Sequence, residues 1–248
     1  MTSAVSSKAS ARRAGRGRLP SEQKGAGSPC FVENLGLLGY GKAWKRQLEL
    51  VERRKLGQGG DRLLFVEHPH TITLGRNARD DNVLVSHERM IELGLELVET
   101  DRGGDVTYHG PGQLVGYPVV DLNLWKRDVV AYLRALEDVL IDALTELGVK
   151  AERLDGCTGV WVGGEKIAAM GVHISRWITS HGFALNVAPD MDYFGCIIPC
   201  GLTKPVTSIE RVLGRTPEMD EVSDAVTRSF GRVFDRRMLP ADAEKPYA

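Results

Sequence analysis

The sequence has almost no net charge, few cysteines and no long hydrophobic run, and each absence excludes a class of protein. Its 32 lysines and arginines nearly balance 33 aspartates and glutamates, so the formal net charge is -1 over 248 residues. Such a balance gives no overall attraction to nucleic acid or anionic lipid. No apolar run approaches the roughly 20 residues of a transmembrane helix. We therefore predict no nucleic-acid and no membrane partner.

The cysteine content excludes a disulfide framework. The four cysteines are Cys30, Cys157, Cys196 and Cys200. They are too few to staple a chain of this length, and no secretory signal pattern precedes them. We therefore predict a reducing compartment, the cytoplasm.

The first 29 residues differ in composition from the rest of the chain. They are rich in Ser, Ala, Gly and Arg, and Glu22 is their single acidic residue. This composition predicts a disordered basic tail over residues 1–29. Because it also fits a transit peptide, the mitochondrial matrix and the plastid remain alternative locations.

From residue 30 onward, strand-like runs such as "LLFVEH", "LVGYPVVDL" and "KIAAMGVHI" alternate with helical stretches. This mixture predicts an α/β or α+β fold. The clearest helix begins at Asp128, carries apolar residues at spacings of three and four, and stops at Gly148. A second helix is predicted over residues 40–55, with Trp44, Leu48 and Val51 on one side. A third runs from about Met219 to Arg236.

The glycine-rich stretch "DRGGDVTYHGPGQLVGYP", residues 101–118, is the densest candidate for binding. Glycines let the backbone approach a ligand and expose N–H donors. Arg102 offers a charge for an anion, whereas Tyr108 and His109 combine an apolar body with a polar tip. The alternative is a strand, turn and strand with glycines in the turns. The stretch lacks the spacing of a phosphate loop or a dinucleotide fingerprint, so we predict no nucleotide and no other cofactor.

The stretch "GVWVGGEKIAAMGVHI", residues 159–174, predicts two strands joined by a Gly-Gly-Glu turn. Regular alternation places Lys166 on one strand face with Ala168, Met170 and Val172. An ammonium is poorly solvated there unless an anion lies opposite. The small residues of this strand leave room for a ligand tail, although a lysine that reaches water after a hairpin turn fits the pattern too.

The stretch "FGCIIPCGL" holds Cys196 and Cys200, and its proline and glycines argue against a helix. Either thiol could be a buried structural residue, or both could bind zinc with His173 and His181. A third possibility is a reactive cysteine beside Lys166. A nearby ammonium lowers the pKa of a thiol and so populates the nucleophilic thiolate.

Four blocks in this order, "RGGDVTYHGPGQLVGYP", "GVWVGGEKIAAMGVHI", "HGFALNVAPDMDYF" and "IIPCGL", resemble the motifs of the lipoyl(octanoyl) transferases. The resemblance covers roughly residues 31–235. It implies a mixed β-sheet flanked by helices, as in the catalytic domains of biotin and lipoate protein ligases, in one catalytic domain over residues 30–240. It also implies transfer of an octanoyl group from octanoyl-acyl carrier protein, through a cysteine thioester, to a lysine of lipoyl domains. Acceptors of that kind are the lipoyl domains of 2-oxoacid dehydrogenases and the glycine-cleavage H protein.

Matching the motifs residue by residue identifies Cys200 as the nucleophile and Lys166 as the group that lowers its pKa. Cys157 and Cys196 match no required position. The implied substrate-binding residues are Arg102, Gly103, Gly104, Asp105, Val106, Thr107, Tyr108, His109, Ala169, Met170, Gly171, Gly182, Phe183 and Ala184. Arg76, Arg79 and Arg102 are candidates for a basic patch that meets the acidic carrier protein.

Two other functions compete with octanoyl transfer. One is an ATP-dependent lipoate or biotin protein ligase of the same superfamily. "GRGRLP" at residues 15–20 is similar to the biotin-ligase phosphate loop, but it lies in the tail, and the ligase motif Lys-Trp-Pro-Asn-Asp is absent. The other is a non-catalytic acyl- or zinc-binding protein, in which Cys200 is a structural thiol.

Overall fold

The structure is a computed structural model that describes residues 27–198 and 204–244. Within these residues the strands are β1 (Ser28–Leu37), β2 (Asp61–Glu67), β3 (Thr71–Leu74), β4 (Glu96–Glu99), β5 (Val106–His109), β6 (Gln113–Val119), β7 (Glu152–Leu154), β8 (Cys157–Val162), β9 (Glu165–Ser175), β10 (Ile178–Asn186) and β11 (Arg236–Pro240). The helices are α1 (Tyr40–Lys55), α2 (His87–Glu92), α3 (Val129–Glu146), α4 (Ile209–Leu213) and α5 (Met219–Phe234).

Eight strands form one mixed sheet in the order β11-β1-β2-β6-β10-β9-β8-β7. The pairs β11–β1 and β1–β2 are parallel, and the remaining pairs are antiparallel. A smaller sheet has the order β4-β3-β5. The predicted mixed sheet flanked by helices is confirmed. The smaller sheet was not foreseen, because β3, β4 and β5 have only four residues each, too few for a clear alternation.

Alternation along the strands divides the core of the large sheet between two faces. Leu63 and Phe65 of β2 belong to a cluster with the apolar sides of α3 and α5. The intervening Leu64, and Val66 after it, belong to a second cluster with α1. Helices thus cover both faces of the large sheet. The cavity that forms the candidate site lies on the face covered by α1.

All three predicted helices match closely at both ends. Helix α3 begins after Asp128, whose carboxylate accepts a hydrogen bond from the Ala131 N–H at 2.9 Å. Helix α5 ends at Phe234, two residues before the predicted end, because Asp235 turns into the left-handed region and Arg236 begins β11.

Helix α1 has the predicted bounds, but only part of its predicted apolar side is buried. Val51 is buried as predicted, whereas Leu48 is exposed and the polar Gln47 is buried. The prediction weighted hydrophobicity alone. Gln47 faces inward because its side-chain oxygen accepts a hydrogen bond from the His181 N–H at 2.7 Å.

The folded part of the chain continues past both ends of the predicted domain, residues 30–240. Strand β1 begins at Ser28, two residues before residue 30, because Ser28 and Pro29 pair with Arg236 and Arg237 of β11. At the other end, the Glu244 carboxylate accepts hydrogen bonds from the Gly60 N–H and from the Arg62 guanidinium. No helix in residues 27–198 and 204–244 is long and apolar enough to cross a bilayer.

Candidate active site

A β-bulge places Lys166 on a different sheet face from the one that alternation predicts. In the β8–β9 pair, Val160 lies opposite Ala168 but Trp161 lies opposite Lys166, so Ile167 is one extra residue on β9. Ile167 and Ala168 both join the cluster beneath α3 and α5. Lys166 instead shares a face with Trp161. The predicted grouping of Lys166 with Ala168, Met170 and Val172 is therefore wrong.

The Lys166 side chain is almost fully buried, with 8% of the residue exposed. Its Nζ lies 4.8 Å from the centre of the Trp161 ring, which is within range of a cation–π contact. In the part of the chain that the structure describes, no carboxylate lies within ion-pair distance of this Nζ. The alternative of a surface lysine that reaches water after the turn is wrong.

The backbone on both sides of Lys166 is clamped by the segment that follows residue 203. The Lys166 N–H donates to the Pro205 carbonyl, and the Thr207 N–H donates to the Lys166 carbonyl, each at 2.9 Å. Lys204 also extends over Trp161, with its Nζ 5.8 Å from the ring centre. Cys200, the predicted nucleophile, lies outside the described residues.

Glycine at position 159 is required by its positive φ and by the close approach of the Ala168 carbonyl, and the Lys166 side chain passes beside it. Gly159 has φ +127°, and a Cβ there would lie 2.7 Å from the Ala168 carbonyl oxygen and 3.4 Å from Cε of Lys166. Its N–H donates to the buried carboxylate of Glu137 at 3.1 Å. Arg134 and Arg153 neutralise that carboxylate. The strand beneath Lys166 is thus anchored to α3.

A cavity of about 440 Å³, part of which is open to solvent, lies between the large sheet, α1 and the chain before β5. Ten of the fourteen predicted substrate-binding residues line it. From the glycine-rich block these are Arg102, Gly104, Val106, Thr107 and His109. From β9 and β10 they are Ala169, Met170, Gly171, Gly182 and Phe183.

The other four predicted residues lie near the cavity without lining it. Gly103 donates its N–H to the Val172 carbonyl at 2.9 Å. Asp105 accepts hydrogen bonds from the loop after β3. The Tyr108 hydroxyl contacts Nδ1 of His70 at 2.7 Å in the smaller sheet, and Ala184 packs beneath α1.

Sequence reasoning missed four cavity residues, namely Tyr40, Val115, Tyr117 and His181. Tyr40 begins α1 and reaches the cavity from a helix that was interpreted as packing alone. His181 was considered only as a zinc ligand. Its position directly before the predicted substrate-binding residues Gly182–Ala184 could have identified it from sequence.

The guanidinium of Arg102 is engaged within the protein. Only 7% of the residue is exposed. Its Nε donates to Oγ1 of Thr73 at 3.1 Å, its Nη2 donates to the Thr73 carbonyl at 2.6 Å, and its Nη1 donates to the Gly103 carbonyl at 3.1 Å. Arg102 therefore holds the glycine-rich segment to β3. Of the three arginines considered for a carrier-protein patch, Arg76 and Arg79 are exposed.

Burial keeps the histidine and tyrosine side chains around the cavity neutral. Burial lowers the pKa of His109 well below its ordinary value, and it raises the pKa of Tyr40 to about 12. Burial also lowers the pKa of His181, although the hydrogen bond to Asp101 opposes this effect. Neutral groups in a desolvated cavity suit an uncharged, apolar ligand.

A series of side-chain hydrogen bonds links the cavity to the segment that clamps Lys166. His109 Nδ1 contacts Oε1 of Gln113 at 2.8 Å, and Nε2 of Gln113 donates to Oδ1 of Asn186 at 3.0 Å. Nδ2 of Asn186 donates to the Thr207 carbonyl at 3.0 Å. Gln113 and Asn186 were not predicted. The sequence pattern that could have identified them is an amide side chain at one end of an otherwise apolar strand.

Among the residues considered for a zinc site, the two histidines lie together and Cys196 lies in a different part of the structure. His181 and His173 both contact Asp101, and His173 also accepts a hydrogen bond from Arg76. Cys196 ends the short 3₁₀ helix Met191–Cys196 and is buried in the cluster under the smaller sheet, where burial raises its pKa. Among residues 27–198 and 204–244, no three His, Cys, Asp or Glu side chains are grouped as metal ligands.

Comparison with known proteins identifies the family. Residues 39–231 match the model of the lipoyl protein ligase A/B catalytic domain. The chain belongs to this family. It is 55% identical over 211 residues to the octanoyltransferase of Solibacter usitatus, which covers 85% of this chain and 96% of that protein. It is 46% identical over 216 residues to the octanoyltransferase of Gloeobacter violaceus, covering 87% and 95%.

Solved structures of lipoate protein ligases share the fold. The bipartite lipoate protein ligase of Thermoplasma acidophilum superposes with a TM-score of 0.70 at 17% identity, covering 86% of each chain. A lipoate-protein ligase A bound with ATP gives a TM-score of 0.64 at 17% identity, covering 86% of this chain and 89% of that chain. Similarity at this level of identity supports the fold and not the activity.

Proposed function

We propose that this protein is an octanoyltransferase of lipoate biosynthesis, which moves an octanoyl group from octanoyl-acyl carrier protein to a lysine of a lipoyl domain. The observation that carries the proposal is the buried Lys166 ammonium, three residues before Ala169, the first cavity residue of β9. The chain's relatives named octanoyltransferase, at 41% to 55% identity over most of its length, support the same activity.

In the first step, the Cys200 thiolate attacks the thioester carbonyl of octanoyl-acyl carrier protein. The bond between the carbonyl carbon and the carrier's sulfur breaks, and an octanoyl-cysteine thioester forms. Lys166 gives its proton to the departing carrier thiolate and becomes a neutral amine. The carrier leaves with a free thiol.

In the second step, the amine of a lipoyl-domain lysine attacks the octanoyl-cysteine. An amide bond forms, the carbon–sulfur bond to Cys200 breaks, and Lys166 takes up the proton that the attacking amine loses. Cys200 is again a thiolate and Lys166 an ammonium. Because a thioester is converted into a more stable amide, the reaction needs no nucleotide.

The described residues support this assignment on two points. Lys204 lies only four residues after Cys200 and extends over the same Trp161 ring as Lys166. The cavity, whose first residue on β9 is Ala169, is lined mostly by apolar side chains that suit an acyl chain.

We place this activity in the cytoplasm, with lipoyl domains of 2-oxoacid dehydrogenases and the glycine-cleavage H protein as acceptors. Arg76 and Arg79, both exposed near the Asp101–Asp105 segment, are the arginines we assign to carrier docking. Neutralising both should weaken carrier binding more at low salt than at high salt.

Incubating the purified protein with octanoyl-acyl carrier protein, without ATP, tests the proposal. Intact mass should show one octanoyl adduct that hydroxylamine removes, and Cys200→Ser should lack it. No adduct on the wild-type protein, or an equal adduct on Cys200→Ser, would contradict the mechanism. Dependence on ATP would instead favour a ligase, and stoichiometric zinc without transfer a binding protein.

A further inference from the structure

The segment 101–104, just before β5, crosses the end of the cavity. The Gly103 N–H donates to the Val172 carbonyl of β9 at 2.9 Å. A Cβ on Gly171 would lie 2.7 Å from the Gly103 carbonyl oxygen and 3.2 Å from Cδ of Arg102. The segment therefore rests directly on β9, with no room for a ligand between them.

Two buried side chains hold this segment from the side of α1 and β10. Nε2 of His181 lies 2.7 Å from Oδ1 of Asp101, and Nδ1 of His181 lies 3.3 Å from the Tyr40 hydroxyl. His181 is 1% exposed and has φ +55°, in the left-handed region. Tyr40, His181 and Asp101 thus form one hydrogen-bonded series across the cavity's end.

The register of β10 against its neighbours shows where along β9 the cavity ends. Ala184 pairs with Ala169 of β9 and with Val115 of β6, which forms one row of small or short side chains. Gly182 pairs with Gly171 two residues further along β9, about 7 Å from the first row. His181 pairs with Val172 beyond the second row. Space left by small residues ends where His181 and the 101–104 segment begin.

We propose that the 101–104 segment and His181 form the end wall of the acyl cavity and set the longest acyl chain that the protein transfers. The inference rests on the proposed octanoyl transfer and identifies what limits its substrate. A longer chain must displace Tyr40 and His181, which are buried, and their hydrogen-bonded partner Asp101, which is half-buried. Chains too short to reach the wall do not contact it, so the wall discriminates only on the long side.

The test is a comparison of acyl-chain lengths between wild type and His181→Gly. Glycine adopts φ +55° without strain and retains the N–H that donates to Gln47, so the change removes only the ring. We expect kcat/KM for decanoyl- relative to octanoyl-acyl carrier protein to rise at least tenfold, with the hexanoyl-to-octanoyl ratio unchanged. His181→Asn, which also tolerates this backbone and is shorter, replaces the first variant if that variant does not fold.

His173→Ala is the matched control. His173 contacts the same Asp101, with its Nδ1 3.2 Å from the carbonyl oxygen, but it does not line the cavity. We expect its chain-length profile to equal that of the wild type. A decanoyl-to-octanoyl ratio within twofold of the wild type in the His181 variant, or an equal rise in His173→Ala, would overturn the end wall alone. A wild-type protein that transfers no octanoyl group would overturn the proposed function as well.

Discussion

The side-chain amide of Asn186 donates a hydrogen bond to the carbonyl oxygen of Thr207 at 3.0 Å. The Thr207 N–H in turn donates to the Lys166 carbonyl, so Asn186 fixes the segment that clamps the buried lysine. Oδ1 of Asn186 accepts a hydrogen bond from Nε2 of Gln113, so the nitrogen and the oxygen of the Asn186 amide each have a defined partner.

Asn186→Asp should therefore lower both stability and activity. The carboxylate has the same shape and still accepts from Gln113, but it cannot donate to Thr207 and introduces a buried charge. We expect the free energy of unfolding in urea at pH 7 to fall by about 2–3 kcal/mol. Asn77→Asp, at an exposed position, should change it by less than about 0.5 kcal/mol. Equal losses in the two variants would refute the clamp.

Lys166→Met should abolish most octanoyl transfer without destabilising the fold. The ammonium is buried over Trp161 with no carboxylate partner among the described residues, so removing its charge relieves a desolvation cost. We expect kcat to fall by about 10²–10⁴ while the melting temperature stays constant or rises.

Lys204→Met is the matched control for that variant. Lys204 is exposed and lies over the same Trp161 ring. It should retain most of the activity. Equal losses of kcat in Lys166→Met and Lys204→Met would show that charge over the ring matters, and not Lys166 itself.

Stability should fall as the pH drops from about 6.5 to about 4, in part because of His68. Burial lowers the pKa of His68 to about 4, whereas the unfolded residue has a pKa of about 6.5. In this window the unfolded state takes up a proton that the folded state excludes, so acid favours unfolding. His68 alone should account for about 3 kcal/mol over the window.

Urea unfolding between pH 4 and pH 7.5 measures this effect. His68→Gln should flatten the dependence, since glutamine can replace the contacts with the Leu38 carbonyl and the Tyr117 hydroxyl without titrating. His87→Gln, exposed on α2, should leave the wild-type slope. An unchanged slope in His68→Gln would contradict the assignment.

Gly159→Ala should be far more costly than Gly164→Ala, although both glycines have positive φ. At Gly164 an added Cβ meets nothing within 4 Å, so only backbone strain of about 1 kcal/mol applies. At Gly159 the Cβ meets the Ala168 carbonyl and the Lys166 side chain. We expect a loss of about 3 kcal/mol or more in thermal unfolding, together with reduced transfer. Similar losses in the two variants would show that the close approach to the Ala168 carbonyl carries no cost.

Some features of this fold could be predicted from neighbouring residues alone. Helix α3 follows from its apolar spacing and the Asp128 cap, and the β8–β9 hairpin follows from Gly163 and Gly164, whose positive φ values suit a tight turn. The ordered motif blocks similarly located ten of the cavity residues and the family. All of these signals lie within short stretches of chain.

The three long helices, the hairpin and the motif blocks could be located from sequence, because caps, turns and periodicity depend on residues a few places apart. The sheet face that Lys166 occupies depends on strand pairing, since the bulge at Ile167 exists through pairing with β8. Tertiary structure also brings Tyr40 to His181, 141 residues away, and His181 to Asp101, 80 residues away. Contacts at such separations depend on how the strands and helices pack, which no local pattern of residues specifies.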